Sequence, residues 1–596
     1  MNRHVPRFLA LFLALAILFP PAAPAQDSHA KLHALFDEEW EFRLREDPLF
    51  ATATGDHRYD DRLPRVSLAD EKRRTDFRRS LLGRLRAIDP KGLPEADRVS
   101  HGMFEWELRD AIEGFEHKRH MMPLTADSGF HTELARLPDD VPLATTKDYE
   151  NYIARLNAIP GYLGQWIGLL RQALKEGYTL PKVVLQGYEH GITAHVVDSH
   201  EKSKFFGPFR EFPPGVPAAD RDRLRSAGAA AVLEGAVPGF RAFLEFMTRE
   251  YIPGSRESLG ASTLPDGAAL YRYLIRHFTT LDLTPEGIHE LGLTEVARIR
   301  AEMDGVIRQS GFTGDFAAFL KFLRTDPRFY PKTAEELLKQ AAWIAKRMDG
   351  KLPSLFGRLP RQPYGVEPVP EDIAPKYTAG RYAGSPLDST KAGRYWVNTY
   401  NLQSRPFYAL EALSLHEAVP GHHLQVALAK ELTDLPKFRR YSYVDAFGEG
   451  WGLYSERQGL EAGFYADPYS NFGRLTYEMW RACRLVVDTG LHAKGWTRQQ
   501  AIDYLASNTA LSLHEVTTET DRYISWPGQA LAYKMGELKI RELRQRAQSA
   551  LGPRFDVRAF HDAVLSNGTV TLPVLEERVA DFIRARQAPA ASRGRS

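Results

Sequence analysis

Eight residues concentrate the chemistry of this chain: His416-Glu417-Ala418-Val419-Pro420-Gly421-His422-His423. The opening His-Glu matches the helical pattern His-Glu-x-x-His, in which two histidines one turn apart hold zinc and the glutamate activates water. Position i+4 is Pro420, however, and the next histidines stand at i+6 and i+7. On a regular helix i+6 lies about 240° round, while i+7 returns to the same face about 10.5 Å along the axis. One zinc needs ligand nitrogens about 2.0–2.1 Å away, so neither pair chelates from an unbroken helix. Pro420 removes a main-chain hydrogen bond and Gly421 permits unusual dihedrals. A Pro-Gly bulge that loops out the extra residues lets His416 converge with His422 or His423. The competing reading is a helix that Pro-Gly ends, with three incidental histidines.

Carboxylates downstream raise the case for metal. Glu449 and Glu456 stand at i and i+7 on one helix face, with Asp445 one turn earlier. A two-histidine site commonly takes a carboxylate as third ligand and leaves the fourth position to water. Gly448, Gly450 and Gly452 lack the spacing of a phosphate loop and the Lys-Ser/Thr that follows one, so close helix packing explains them better.

His-Glu-Ala-Val-Pro-Gly-His-His with the downstream Glu449-Gly450-Trp451 resembles the bacterial family named domain of unknown function 885. That family is similar to the gluzincin metallopeptidases, among them thimet oligopeptidase, angiotensin-converting enzyme and dipeptidyl peptidase III. Asp47-Pro48, Ala51-Thr52 and Gly55 near the start fit the resemblance, as does Pro527-Gly528-Gln529-Ala530-Leu531-Ala532-Tyr533-Lys534 near the end. The resemblance implies a mainly α, zincin-like peptidase fold with a small β-sheet beside the metal-binding helix and a deep central cleft. It implies Zn2+ held by His416, His422 and Glu449, with His423 the alternative to His422, and Glu417 as general base. A glycine often precedes the second zinc histidine in those peptidases, as Gly421 precedes His422. The dipeptidyl peptidase III pattern carries one inserted residue where this chain needs two. Tyr523, Tyr533 and His492 are candidates to stabilise the oxyanion, and Arg522, Lys534 and Gln529 to bind substrate. The alternative for each tyrosine is an aromatic in a helical core with its hydroxyl satisfied. The alternative for each cation is an ion pair. The activity implied is hydrolysis of short peptides. Hydrolysis of another amide or ester, or peptide binding without catalysis, are the competing functions.

Most of the chain is patterned to hold such a site on helices. Thr284-Pro285-Glu286 supplies a cap, a first-turn proline and an acid, followed by apolar residues at helical spacing from Ile288 to Val306. Thr333 to Glu336 reads as a capping box closed by Gly350, and Thr497 with Gln500 repeats it. Residues 352–388 contain seven prolines, which excludes long helices and predicts loop and short strand. Arg394 to Tyr400 is β-branched and aromatic, a predicted strand whose edge could pair with an extended peptide. The expected division is a helical N-terminal region over 26–265 and a region bearing the chemistry over 266–596.

Composition bounds the rest. The 596 residues are 43% hydrophobic and 26% charged, which are globular values. Residues 1–25 carry Arg3 and Arg7 as their only charged side chains, the apolar run Phe8–Phe19, and Ala23-Pro24-Ala25 ahead of Gln26, an export signal. Twelve apolar residues span about 18 Å, short of the ~30 Å hydrocarbon core. Losing this segment leaves 76 charges of each sign. A neutral chain has no bulk field for nucleic acid and none for stable association with an anionic membrane. A periplasmic or secreted location is expected. The single cysteine, Cys483, permits no internal disulfide and reads as a buried apolar residue.

Overall fold

The computed structural model describes residues 24–371, 373–385 and 391–588. The expected export segment lies outside these residues but for its last two positions, as does Pro386. The protein is mainly α with one three-stranded sheet. The elements that matter to the site are α1 (Pro24–Glu46), α2 (Glu95–Glu116), α3 (Thr146–Glu176), α4 (Pro285–Gln309), β1 (Tyr364–Pro368), β2 (Gly380–Ala383), β3 (Gly393–Val397), α5 (Phe407–Glu417), α6 (His422–Glu431), α7 (Asp445–Ala462), α8 (Pro468–Ala493), α9 (Leu513–Ser525) and α10 (Ala532–Leu551).

Local signals place many of the ends. Thr284 caps α4 through a bond from the Gly287 N–H, with Pro285 at the first helical position. Thr333 caps helix Ala334–Asp349 through the Glu336 N–H, and Thr497 with Gln500 forms the reciprocal box. Among the described residues the proline-dense stretch carries a one-turn helix at Leu352–Leu355, β1, β2 and a 3-10 turn at Ala374–Lys376.

The sheet order is β1-β3-β2, with β3 parallel to β1 and antiparallel to β2. The strand expected over 394–400 is therefore the central strand, shorter than expected and bonded on both sides. Its edges are not free for a peptide. The outer strand nearest the chemistry is β2.

One hydrophobic cluster extends from Leu32 to Ile583 and draws on both halves of the chain. Phe36 of α1 packs against Phe104 of α2 and against Phe438, with ring centroids 5.1 and 4.8 Å apart. Helix α8 is buried along nearly its whole length and packs on α4 and α5. Its Gly473 admits the Tyr408 carbonyl oxygen of α5, which a Cβ there would meet at 1.7 Å. The helical stretch Ala218–Gly254 is long and apolar enough to cross a membrane, but half of its apolar window is buried. It lies on α3, where a Cβ at Gly235 would fall 2.7 Å from the Leu156 carbonyl oxygen, so its backbone is seated in the protein core.

Candidate metal centre

Helix α5 ends at Glu417 and α6 begins at His422, so the Pro-Gly segment separates two helices and is not a bulge within one. Ala418 (φ −92°, ψ −110°) and Gly421 (φ −76°, ψ −130°) carry the change of direction, and the Val419–Pro420 peptide is cis. A Cβ at Gly421 would lie 1.9 Å from the His416 carbonyl oxygen, so the return of the chain onto α5 requires glycine there. The Trp451 indole N–H donates to the Pro420 carbonyl at 2.8 Å and fixes the turn from below.

This turn brings the two imidazoles together. The His416 and His422 rings lie 4.8 Å apart at 86°. Glu449 Oε2 stands 3.4 Å from His416 Nε2 and 3.3 Å from His422 Nε2. One donor atom from each of the three residues falls within 4.8 Å of the others. Two Nε2 atoms and a carboxylate oxygen at this spacing match the three-protein-ligand set of an open zinc site. His416 Nδ1 donates to Glu456 Oε1 at 2.8 Å, and Arg481 holds the same oxygen at 3.4 Å. A carboxylate behind the imidazole fixes its tautomer and leaves Nε2 free to coordinate. Gly452 faces the other side of the ring, where a Cβ would lie 2.7 Å from Nε2.

The electrostatics agree with this packing. Burial opposes ionisation of His416, but Glu449 and Glu456 prevail and raise it to about 9. Burial likewise opposes the charge on Glu449, yet His422 and His416 hold its carboxyl well below the usual carboxylate range. Burial and the nearby Glu449 raise Asp445 to about 7.

The neighbouring base candidate is held by the sheet. The main-chain N–H of Tyr382 in β2 donates to Glu417 Oε2 at 2.8 Å. His423 points elsewhere: its Nδ1 bonds the Tyr382 hydroxyl at 3.1 Å, its ring lies against Tyr364, and burial lowers it to about 4. A cleft of about 1470 Å³ opens nearby, lined by residues of both halves including Arg119, Gly384, Tyr443 and Trp526. Its lining contains none of the three clustered residues. Tyr443 belongs to both places, because it lines the cleft while its hydroxyl lies against Gly448, one residue before Glu449.

The family described as a bacterial protein of unknown function (DUF885) matches residues 48–579. The chain belongs to the DUF885 family. Among solved structures, this DUF885 protein is similar to a provisionally named lipoprotein of Colwellia psychrerythraea (29% identity, TM-score 0.87), covering 94% of this chain and 99% of that one. A provisionally named lipoprotein of unknown function from Shewanella oneidensis shares the fold at 19% identity and TM-score 0.68, covering 92% and 99% of the two chains. No curated protein matches the chain.

The DUF885 structure distributes the remaining expected site residues unevenly. Tyr533 stacks on the His416 ring at 6.2 Å and 22°. Gln529 is buried and accepts from Arg522 Nη1 at 2.7 Å, which ties it to the Arg522–Glu519 pair. Four expectations are corrected. The Tyr523 hydroxyl accepts from Trp480 Nε1 at 2.7 Å and Arg484 Nε at 2.8 Å inside the core. His492 spends both nitrogens, accepting from the Ala261 N–H and donating to the Tyr523 carbonyl, each at 3.0 Å. Arg522 is bound to Glu519, and Lys534 is fully buried among Glu295, Glu478 and Glu537. His492 and Lys534 have no group left for substrate, and Tyr523 and Arg522 are buried with their polar groups engaged inside the protein.

Sequence reading passed over Arg381, Tyr443 and the role of Glu456. Arg381, on β2, is exposed and carries its guanidinium over the Tyr377 ring at 5.2 Å. Among the described residues it forms no ion pair, while Asp127, Tyr533 and Glu417 lie within its electrostatic reach. Its position in a proline-rich stretch gave no signal. Glu456 was visible as the i+7 partner of Glu449, and only the fold shows which of the two carboxylates faces Nδ1.

Proposed function

We propose that this DUF885 protein is an exported, zinc-dependent metallopeptidase that hydrolyses short peptides. The observation that carries the reading is the His416–His422–Glu449 cluster with Glu417 beside it, since two imidazoles, one carboxylate and an adjacent unligated glutamate are what such chemistry uses. His416, His422 and Glu449 would hold the ion, and a zinc ion there would supply Lewis acidity toward a carbonyl and acidify water. Glu417 then takes the proton of the attacking water on the oxygen not held by Tyr382 and returns it to the leaving nitrogen. The β2 backbone keeps that carboxylate aimed throughout. Tyr533, stacked on the His416 ring, and Tyr443, whose hydroxyl lies against Gly448, would donate to the developing oxyanion. Arg381 would take a carboxylate of the substrate, a role the sequence suggested for Arg522 and Lys534, which the structure shows neutralised. Export is supported by the provisional naming of both structural neighbours as lipoproteins and by the leader-like composition of residues 1–25.

Metal analysis of purified protein followed by digestion of a peptide library tests the reading. Zinc bound at the cluster with chelator-sensitive cleavage is expected. A protein that binds no zinc after reconstitution overturns it.

A further inference from the structure

Among the described residues, one other place gathers three metal-binding side chains. His29, His33 and Asp97 each offer a donor atom within 4.8 Å of the others. His29 and His33 stand four apart on α1, so their side chains share a helix face, with ring centroids 4.2 Å apart. Asp97 comes from the first turn of α2. Each histidine meets its own carboxylate oxygen: His29 Nδ1 lies 2.5 Å from Oδ2, and His33 Nε2 lies 2.9 Å from Oδ1.

The site is built to different degrees at its three corners. The Asp97 side chain is 9% exposed, His33 37% and His29 50%. The His33 ring stands edge-on to Phe36 at 5.4 Å, and Phe36 is itself wedged between Phe104 and Phe438. The carboxylate and one imidazole are thus fixed by the core, while the second imidazole faces water and can swing. Nearby cations are engaged elsewhere, Lys31 with Asp27 and Arg98 with the Leu93 carbonyl.

We propose that His29, His33 and Asp97 form a second divalent-cation site, of the class that imidazole and carboxylate ligands select, which ties α1 to α2. An ion about 2.0–2.2 Å from each donor needs the donors to separate slightly from hydrogen-bond distance, and His29 is free to provide that movement. Water completes the shell on the exposed side. The affinity belongs to the folded protein, because the ligands come from two helices and Asp97 lies 64 residues along the chain from His33. The ion therefore acts as a clip on the first helix and takes no part in hydrolysis.

The test counts zinc in full-length, chelator-treated protein titrated with Zn2+ alone. His29→Ala with His33→Ala should bind one zinc fewer per chain than the parent. The same loss is expected when both proteins also carry His422→Ala, so the result stands even if the His416 cluster binds nothing. Asp97→Asn keeps size and one acceptor oxygen but removes the anionic ligand, and guards against misfolding of the double variant. It too should lose one zinc, with an unchanged melting temperature in the absence of metal. Zinc should raise the melting temperature of the His422→Ala protein and not that of the same protein lacking His29 and His33. Equal stoichiometry and equal thermal response in the parent and both variants would overturn the proposal.

Discussion

At the residue scale the clearest division is between Glu417 and the histidines that flank it. Glu417 bonds β2 and lies outside the three-donor cluster, so Glu417→Gln should retain zinc while hydrolysis falls on the order of 10²–10⁴-fold. Full activity in that variant, measured beside its zinc content, removes Glu417 from the mechanism. The two adjacent histidines should separate as sharply. His422 points Nε2 at Glu449 whereas His423 bonds the Tyr382 hydroxyl, so His422→Ala should lose the metal and His423→Ala should keep it with reduced affinity. Metal content of the two variants decides, and the reverse pattern would make His423 the ligand. Loss of a supporting partner such as Glu456 costs about 10–100-fold in affinity by comparison. His416 also sets a pH dependence. In the metal-free protein its folded value, about 9, lies above the ordinary ~6.5 of an unfolded chain. Its ion pairing therefore stabilises fully below about pH 6.5 and is lost as pH rises through 9, by at most ~1.4 kcal/mol per unit. Zinc needs the neutral ring, so zinc affinity should climb over the same window. Urea midpoints of chelator-treated protein between pH 6 and 10 check the first statement, and a flat profile refutes it. Asp445 and Asp488, both raised to about 7, act mainly below this window.

At the scale of elements, the centre depends on a break between two helices and on glycines around it. A side chain at position 452 would enter the His416 ring at 2.7 Å, and the ring is the softer partner. Gly452→Ala should therefore leave the protein folded and weaken zinc binding at least tenfold. Gly421→Ala meets main-chain atoms at 1.9 Å, cannot be relieved by a rotamer, and should destabilise the fold itself by about 1–3 kcal/mol or more. Thermal melts and zinc titrations of both proteins distinguish the two outcomes. The same pair shows how far the sequence could be read. The types His, Glu and Pro-Gly disclosed the chemistry, and helical spacing showed that an unbroken helix could not deliver it. Whether the chain would bulge or start a new helix depended on the α5 backbone beside Gly421 and on Trp451, 31 residues beyond Pro420. Caps such as Thr284 and Thr497 were legible because they are local. The roles of Arg522, Lys534, Tyr523 and His492 were not, because a charge or hydroxyl reads the same in sequence whether it faces a cleft or a buried partner. Strand order was equally hidden: Arg394–Val397 looked like an edge and is the centre, since its neighbours are set by pairings made in space.

At the scale of the whole molecule, the boundary near residue 265 does not separate two independent cores. The principal cluster spans it, and α1 packs its Phe36 and Trp40 on Phe438 and Tyr441. The Ala126 N–H also donates to Ser525 Oγ at 2.9 Å, and Arg439 donates to Ser100 Oγ at 3.4 Å, both across the boundary. Residues 266–596 made alone should therefore be insoluble or molten, and co-expression with residues 26–265 should restore a soluble complex. Circular dichroism and size exclusion of the separate and joined pieces check this. A cooperative melt from the C-terminal piece by itself would contradict it.

The crossing of α7 and α10 has a consequence of its own. Gly450 and Gly536 meet there so closely that a Cβ at Gly450 would lie 2.5 Å from Gly536, and one at Gly536 would lie 1.8 Å from the Ala446 carbonyl oxygen. Glu449 adjoins one of these glycines and Tyr533 precedes the other by a single turn. The gap between carboxylate and phenol is consequently gauged by backbone resting on backbone, a spacer with no rotamers to adjust. Substitutions elsewhere in the core can be absorbed by side chains before they reach this gauge, which makes the site tolerant of drift in its surroundings. Any side chain larger than hydrogen at either contact acts as a wedge on both walls at once. These two positions are the place where a small change in covalent structure would be read out as a change in the width of the site.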